Sequence, residues 1–111
     1  MRKIEQQMQN AIRNRKNWSS SNTSVSIDED GFTSIRLHGN RIAEIAPHGD
    51  IVLSSCGWET VTTKSRLNAI LDVFFTGFGI WQRDFTWYIG DNGSFGPKSE
   101  DEFFDGYTIT R

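Results

Sequence analysis

The sequence predicts a single α+β domain: an N-terminal helix, an antiparallel four-stranded meander, a second helix and two to three closing strands. Three observations carry that prediction. Two segments, residues 2–16 and 63–76, repeat apolar residues with helical period, while the runs between and after them alternate apolar with polar residues as half-buried strands do. Turn-forming groups, Asp30-Gly31, His38-Gly39-Asn40 and Pro47-His48-Gly49-Asp50, separate the alternating runs. The chain has 111 residues, the common size of one domain, and halving it would leave each piece too small to bury an adequate core.

In order along the chain, Ile4, Met8, Ala11 and Ile12 form one stripe of an amphipathic helix over residues 1–16, with Arg2 and Arg13 on the opposite face. Residues 17–22 are serine-rich without period and read as a connection, which Trp18 can anchor. The α+β core, residues 23–111, begins with Val25 and Ile27, turns at Asp30-Gly31 and returns through Ile35 and Leu37 as a hairpin. Ile42 and Ile45, then Ile51 to Leu53, supply two more strands. Leu67, Ile70, Leu71 and Phe74 line one face of the second helix, with Thr62 or Thr63 as its cap and Gly77 as its stop. Trp81 and Arg83, then Phe85, Trp87 and Ile89, alternate as strands, Ser94 to Glu102 reads as a loop, and Phe103 to Tyr107 leads into a terminal strand.

Composition narrows the function classes. No apolar run reaches the roughly 18 residues of a membrane span, and the basic amphipathic start lacks the apolar segment of a signal peptide. The lone Cys56 forms no internal disulfide. A cytoplasmic protein with no membrane partner is the expectation. Net charge is only -2, yet the start is basic, with Arg2, Lys3, Arg13, Arg15 and Lys16 against Glu5. The end is acidic, with Asp84, Asp91, Glu100, Asp101, Glu102 and Asp105 against Lys98 and Arg111.

The most specific local feature is the segment from Gly57 to Asn68, where a strand hands over to a helix. Open N–H groups and the positive end of the macrodipole favour an anion there. Lys64 and Arg66 fall in the first turn of that helix, where a cation is disfavoured by a few tenths of a kcal/mol unless something compensates it. A bound phosphate would do so, with hydrogen bonds from Thr60, Thr62 and Thr63, a further contact from Asn68 and a stacking face on Trp58. The plain alternative is a capped helix with solvated cations and Trp58 in the core. No phosphate-binding glycine loop is present. His38, His48 and Cys56 could each ligate zinc, but their spacing is not that of a zinc site, and no cofactor is expected. Asp28-Glu29-Asp30-Gly31 lacks the spaced ligands of a calcium loop and reads as a turn. Glu100-Asp101-Glu102-Phe103-Phe104-Asp105 reads either as a solvated turn with buried rings or as an interaction edge for a basic protein.

On Gly57 to Leu71, together with Ile35-Arg36-Leu37-His38-Gly39-Asn40-Arg41-Ile42-Ala43, the chain resembles small uncharacterised proteins of tailed bacteriophages. The resemblance covers residues 23–89, with the shared pattern at Trp58, Thr62, Thr63, Lys64, Arg66 and Asn68, and leaves the N-terminal helix outside. It implies an accessory protein that works by binding, with counter-defence as a setting. The resulting expectation is a non-enzymatic binding protein for a phosphate-bearing ligand, a nucleotide signal or nucleic acid, through Trp58, Thr60, Thr62, Thr63, Lys64, Arg66 and Asn68. The alternative is an inhibitor that blocks a host defence protein by surface contact. A homodimer would complete such a site across a symmetric interface.

Overall fold

The structure is a computed structural model that describes residues 2–75, 77–93, 96–97 and 99–110. It has the expected order of an N-terminal helix, an antiparallel meander, a second helix and closing strands. Helix α1 (Lys3–Asn14) places Met8, Ala11 and Ile12 in the core and leaves Arg2 and Arg13 exposed, as its stripe requires. It ends at Arg15, whose left-handed backbone (φ 50°) turns the chain back while the N–H of Lys16 reaches Ala11 O at 3.0 Å. Its buried face also takes Glu5 and Gln9, which the apolar stripe did not announce.

The segment read as a connection is partly a strand. β1 (Trp18–Ser20) pairs with β2 (Thr23–Ile27), because Trp18 opposite Val25 packs on the core and Asn17 Oδ1 accepts the N–H of Ile27 at 2.8 Å. The meander continues through β3 (Thr33–Leu37), β4 (Asn40–Ile45) and β5 (Ile51–Leu53), five strands where the alternation suggested four. The turn from Asp28 is an Asx turn: Asp28 Oδ1 accepts N–H groups from Asp30 and Phe32 at 2.9 and 3.0 Å. β10 (Tyr107–Ile109) returns to pair with β5 and completes a six-stranded sheet, ordered β1-β2-β3-β4-β5-β10. One face buries Val25, Ile35, Leu37, Ile45, Ile51 and Leu53; the other carries Ser24, Ser26, Ser34, Arg36, Glu44 and Val52. A bulge beside Ile35 and Arg36 sets Ile42 and Ala43 in successive buried positions, which strict alternation forbids.

Helix α2 (Val61–Phe74) begins two residues earlier than its apolar stripe suggested, and its cap is Thr60, not Thr62 or Thr63. Leu67, Ile70 and Leu71 are fully buried, each contributing about 1.5–3 kcal/mol. α2 then feeds a hairpin of β6 (Phe78–Arg83) and β7 (Thr86–Gly93), with β8 (Gly96–Pro97) and β9 (Asp101–Glu102) both pairing with β7. Of the expected loop from Ser94 to Glu102, residues Ser94, Phe95 and Lys98 lie outside the described residues, and Asp101–Glu102 is strand. Asn68 joins helix to hairpin, its side chain donating to Ile80 O at 3.0 Å and accepting from Ile80 N at 2.6 Å. The amide thus substitutes for a neighbouring strand at the β6 edge. Gly79 permits it, since a Cβ there would lie 2.8 Å from Asn68 Oδ1.

Candidate functional site

Where β3 turns into β4, the chain passes through His38 (φ 53°) and Gly39 (φ 80°), a two-residue turn whose left-handed pair matches the twist of the strands. Facing that turn is the link from β5 to α2. Cys56 and Gly57 are both left-handed, so the backbone doubles back and Trp58 N–H reaches Ser55 O at 2.9 Å. The doubled-back loop is clamped from the far end of the sequence. Asp105 accepts the N–H and hydroxyl of Ser55, both at 2.7 Å, and the N–H of Gly57 at 3.2 Å. Burial works against its ionisation, but these three donors prevail and hold the carboxyl below the usual range for aspartate. The helix then starts cleanly, Thr60 Oγ1 accepting the N–H of Thr63 at 3.1 Å and sharing a hydroxyl contact of 2.9 Å with Thr63 Oγ1.

Between turn and helix start lies a cleft of about 430 Å³ lined by Leu37, His38, Asn40, Ile42, Ser55, Trp58, Thr60, Thr62 and Thr63. Leu37 and Ile42 give an apolar floor. Hydroxyls and the Asn40 amide give directional bonds, and Trp58, 64% exposed, stands at the side with its ring in solvent. The N–H groups of Val61 and Thr62 precede the first intrahelical bond, and among the described residues no acceptor meets them.

The seven expected site residues divide into three groups. Trp58, Thr60, Thr62 and Thr63 come together in the cleft. Lys64 and Asn68 face a different groove of about 620 Å³ that also includes Arg2, Val61 and Trp81. There Lys64 Nζ stands 3.5 Å from Gln82 Oε1, and Asn68 is occupied with β6. Arg66 lies in the second helical turn, not the first, and it is 3% exposed. Its guanidinium donates to Glu5 Oε2 at 2.8 Å, Thr23 Oγ1 at 3.0 Å and Asn22 Oδ1 at 3.4 Å, so its charge is compensated inside the fold. Lys64 and Arg66 therefore do not converge on one anion, because residues two apart on a helix project to different sides. Among the described residues, no lysine or arginine lines the cleft.

Sequence reasoning missed Leu37, His38, Asn40, Ile42 and Ser55 as companions of Trp58. The one signal available was the His38-Gly39-Asn40 turn, which marks a backbone bend but not what the bend faces. Among the described residues no group of three or more His, Cys, Asp or Glu could hold a metal ion; His48 pairs instead with Asp50 at 2.9 Å and Cys56 Sγ lies 3.0 Å from Arg41 O. Among the described residues no helix is long and apolar enough to cross a membrane.

Fold and cleft together define a small α+β protein with a hydroxyl-lined pocket beside an exposed tryptophan. A family model, Kyanoviridae Gp96 protein, matches residues 1–110, and the chain belongs to that family of bacteriophage proteins. The match takes in α1, which the resemblance drawn from residues 23–89 had left out. No curated protein and no solved structure matches the chain.

Proposed function

We propose that this phage protein is a non-catalytic binding protein that takes a mononucleotide-type ligand in the Trp58 cleft. The observation that supports it is a tryptophan 64% exposed beside a hydroxyl-lined pocket, on a loop that Asp105 and the Thr60 cap hold rigid. A ring carried on backbone that is already held gives up less entropy on stacking than one on a free loop, and stacking of a base on an aromatic side chain contributes roughly 1–3 kcal/mol. The open N–H groups of Val61 and Thr62, with the Thr62 hydroxyl, suit one phosphate at the helix start. Without a lysine or arginine in the cleft, a single nucleotide fits better than a strand, whose successive phosphates need several cations. Sequestering such a signal in the infected cell, as a counter to host defence, is the role a non-enzymatic binder of this kind serves.

Calorimetric titration with cyclic and linear mononucleotides and a short single-stranded oligonucleotide tests the reading. A mononucleotide should bind, with affinity falling tenfold or more in Trp58→Ala, staying within about twofold in Lys64→Gln, and depending only shallowly on salt. Equal binding by Trp58→Ala removes the cleft, and no nucleotide binding by the wild type ends the reading.

A second reading, blockade of a host defence enzyme by surface contact, draws on the exposed rings of Trp58 and Phe104. Each stands next in sequence to one partner of the Asp105–Gly57 hydrogen bond, which brings the two stretches of backbone together. A partner held there should lose affinity in Phe104→Ala, a change that leaves nucleotide binding in the cleft intact.

A further inference from the structure

The β6–β7 hairpin closes between Arg83 and Thr86 through Asp84 (φ 52°) and Phe85 (φ 66°). Both turn residues are left-handed, the geometry in which hairpins take Asn-Gly or Asp-Gly. Asp84 conforms. Phe85 does not, because a bulky residue with a Cβ is crowded by its own backbone at that angle. Burial gives no compensation: the ring is 92% exposed, and among the described residues no aromatic contact holds it. A turn shaped by folding alone would carry glycine there, so the ring acts outside the molecule.

The surface behind the tip is rigid and carries an acidic rim. Trp81 stacks on Tyr88 with centroids 6.5 Å apart, and the Arg83 guanidinium lies 4.5 Å over the Tyr88 ring. Arg83 is held in turn by Glu100, so its charge is already met. β9 sets Glu102 opposite Tyr88 and Asp101 opposite Ile89, next to Glu100. Asp84 at the tip and Glu102 on the Tyr88 face thus present negative charge behind the exposed ring, with the nearest guanidinium neutralised, while Asp101 lies on the opposite face and accepts the Tyr107 hydroxyl.

We infer that the Asp84–Phe85 tip is a docking anchor for a protein partner that offers an apolar socket within a basic rim. A large exposed ring on a rigid support is the form binding hot spots take, and acids around it steer a basic surface while repelling nucleic acid. The site lies on the hairpin, on residues separate from those of the Trp58 cleft, and does not depend on a nucleotide binding there.

The test places a photo-crosslinking phenylalanine analogue at position 85, and at position 29 on the β2–β3 turn as control, in the full chain within host cells and their lysate. The captured species is then purified and titrated against wild type, Phe85→Gly and the double variant Asp84→Asn, Glu102→Gln. Expected is one protein crosslinked from position 85 and not from 29, with affinity down tenfold or more in Phe85→Gly and association slowed in the double variant and at high salt. Phe85→Gly should itself melt a few degrees higher, since glycine relieves the turn, so lost binding there cannot reflect unfolding. The inference is overturned if position 85 crosslinks nothing, nucleic acid or only a second copy of this chain. It is equally overturned if the captured protein binds Phe85→Gly as tightly as wild type, or if that variant is less stable than wild type.

Discussion

Replacing Arg66 with Met should cost about 3–5 kcal/mol of folding stability and leave ligand binding in the Trp58 cleft unchanged. Arg66 and Glu5 have side chains 4% and 3% exposed and lie 2.8 Å apart. Ser65 Oγ donates to the same Glu5 oxygen at 2.6 Å, and Thr23 and Asn22 each accept a further guanidinium N–H. Removing the cation leaves a carboxylate in the interior without its main partner, and breaking such a buried pair costs roughly that amount. Stability for a domain of this size is about 5–15 kcal/mol, so about a fifth of it or more would go. The urea midpoint should fall by about 2 M at an unchanged slope near 2 kcal/mol per molar. The double variant Glu5→Leu, Arg66→Met removes both charges and should recover most of the loss, because well-packed apolar residues replace buried pairs at little cost. Full stability in Arg66→Met, or normal stability with ligand affinity lost, would refute this reasoning and return Arg66 to the binding site.

Three further outcomes follow from the same contacts. Asn68→Ala leaves Ile80 without its edge partner and should destabilise by about 1–3 kcal/mol; Gly79→Ala, which forces Asn68 out of place, should cost a similar amount, both read from urea midpoints. Because the Asp105 carboxyl is held below its unfolded value of about 4, its clamp contributes stability above that pH and loses it as pH falls through the folded value. Midpoints of wild type and Asp105→Asn should therefore differ at neutral pH and converge below about pH 4. Tyr107 is pushed up to about 12 by burial and by donating its hydroxyl to Asp101 at 2.7 Å. Its contribution is present below the unfolded value near 10 and is lost as pH rises towards 12; a tyrosinate absorbance titration should show one late tyrosine that Asp101→Asn shifts earlier.

Both helices, the meander and the turn at His38-Gly39-Asn40 were legible because each is a local matter. The stripe of Met8, Ala11 and Ile12 depends on residues three or four apart, and alternation at Val25, Ile35 and Ile51 depends on residues two apart. Strand β1 was not legible. Trp18-Ser19-Ser20 has no alternation of its own and becomes a strand only because β2 is there to pair with it. The bulge at Ile42 was hidden for a related reason, since it belongs to a pair of strands and not to one of them.

In the candidate site, sequence alone picked out Trp58 and the threonines, because a strand-to-helix junction with capping hydroxyls is a short-range pattern. It also grouped Lys64 and Arg66 with them, since nearness in sequence is all a linear reading can weigh. Tertiary structure separated them. Glu5, the only acid among the five cations of the first sixteen residues, reaches Arg66 across 61 positions and draws its charge into the core. Asp105 likewise reaches back 50 positions to fix Ser55. A buried charge is placed by its partner, and that partner is set by how helices and strands pack, a long-range outcome that spacing along the chain does not encode.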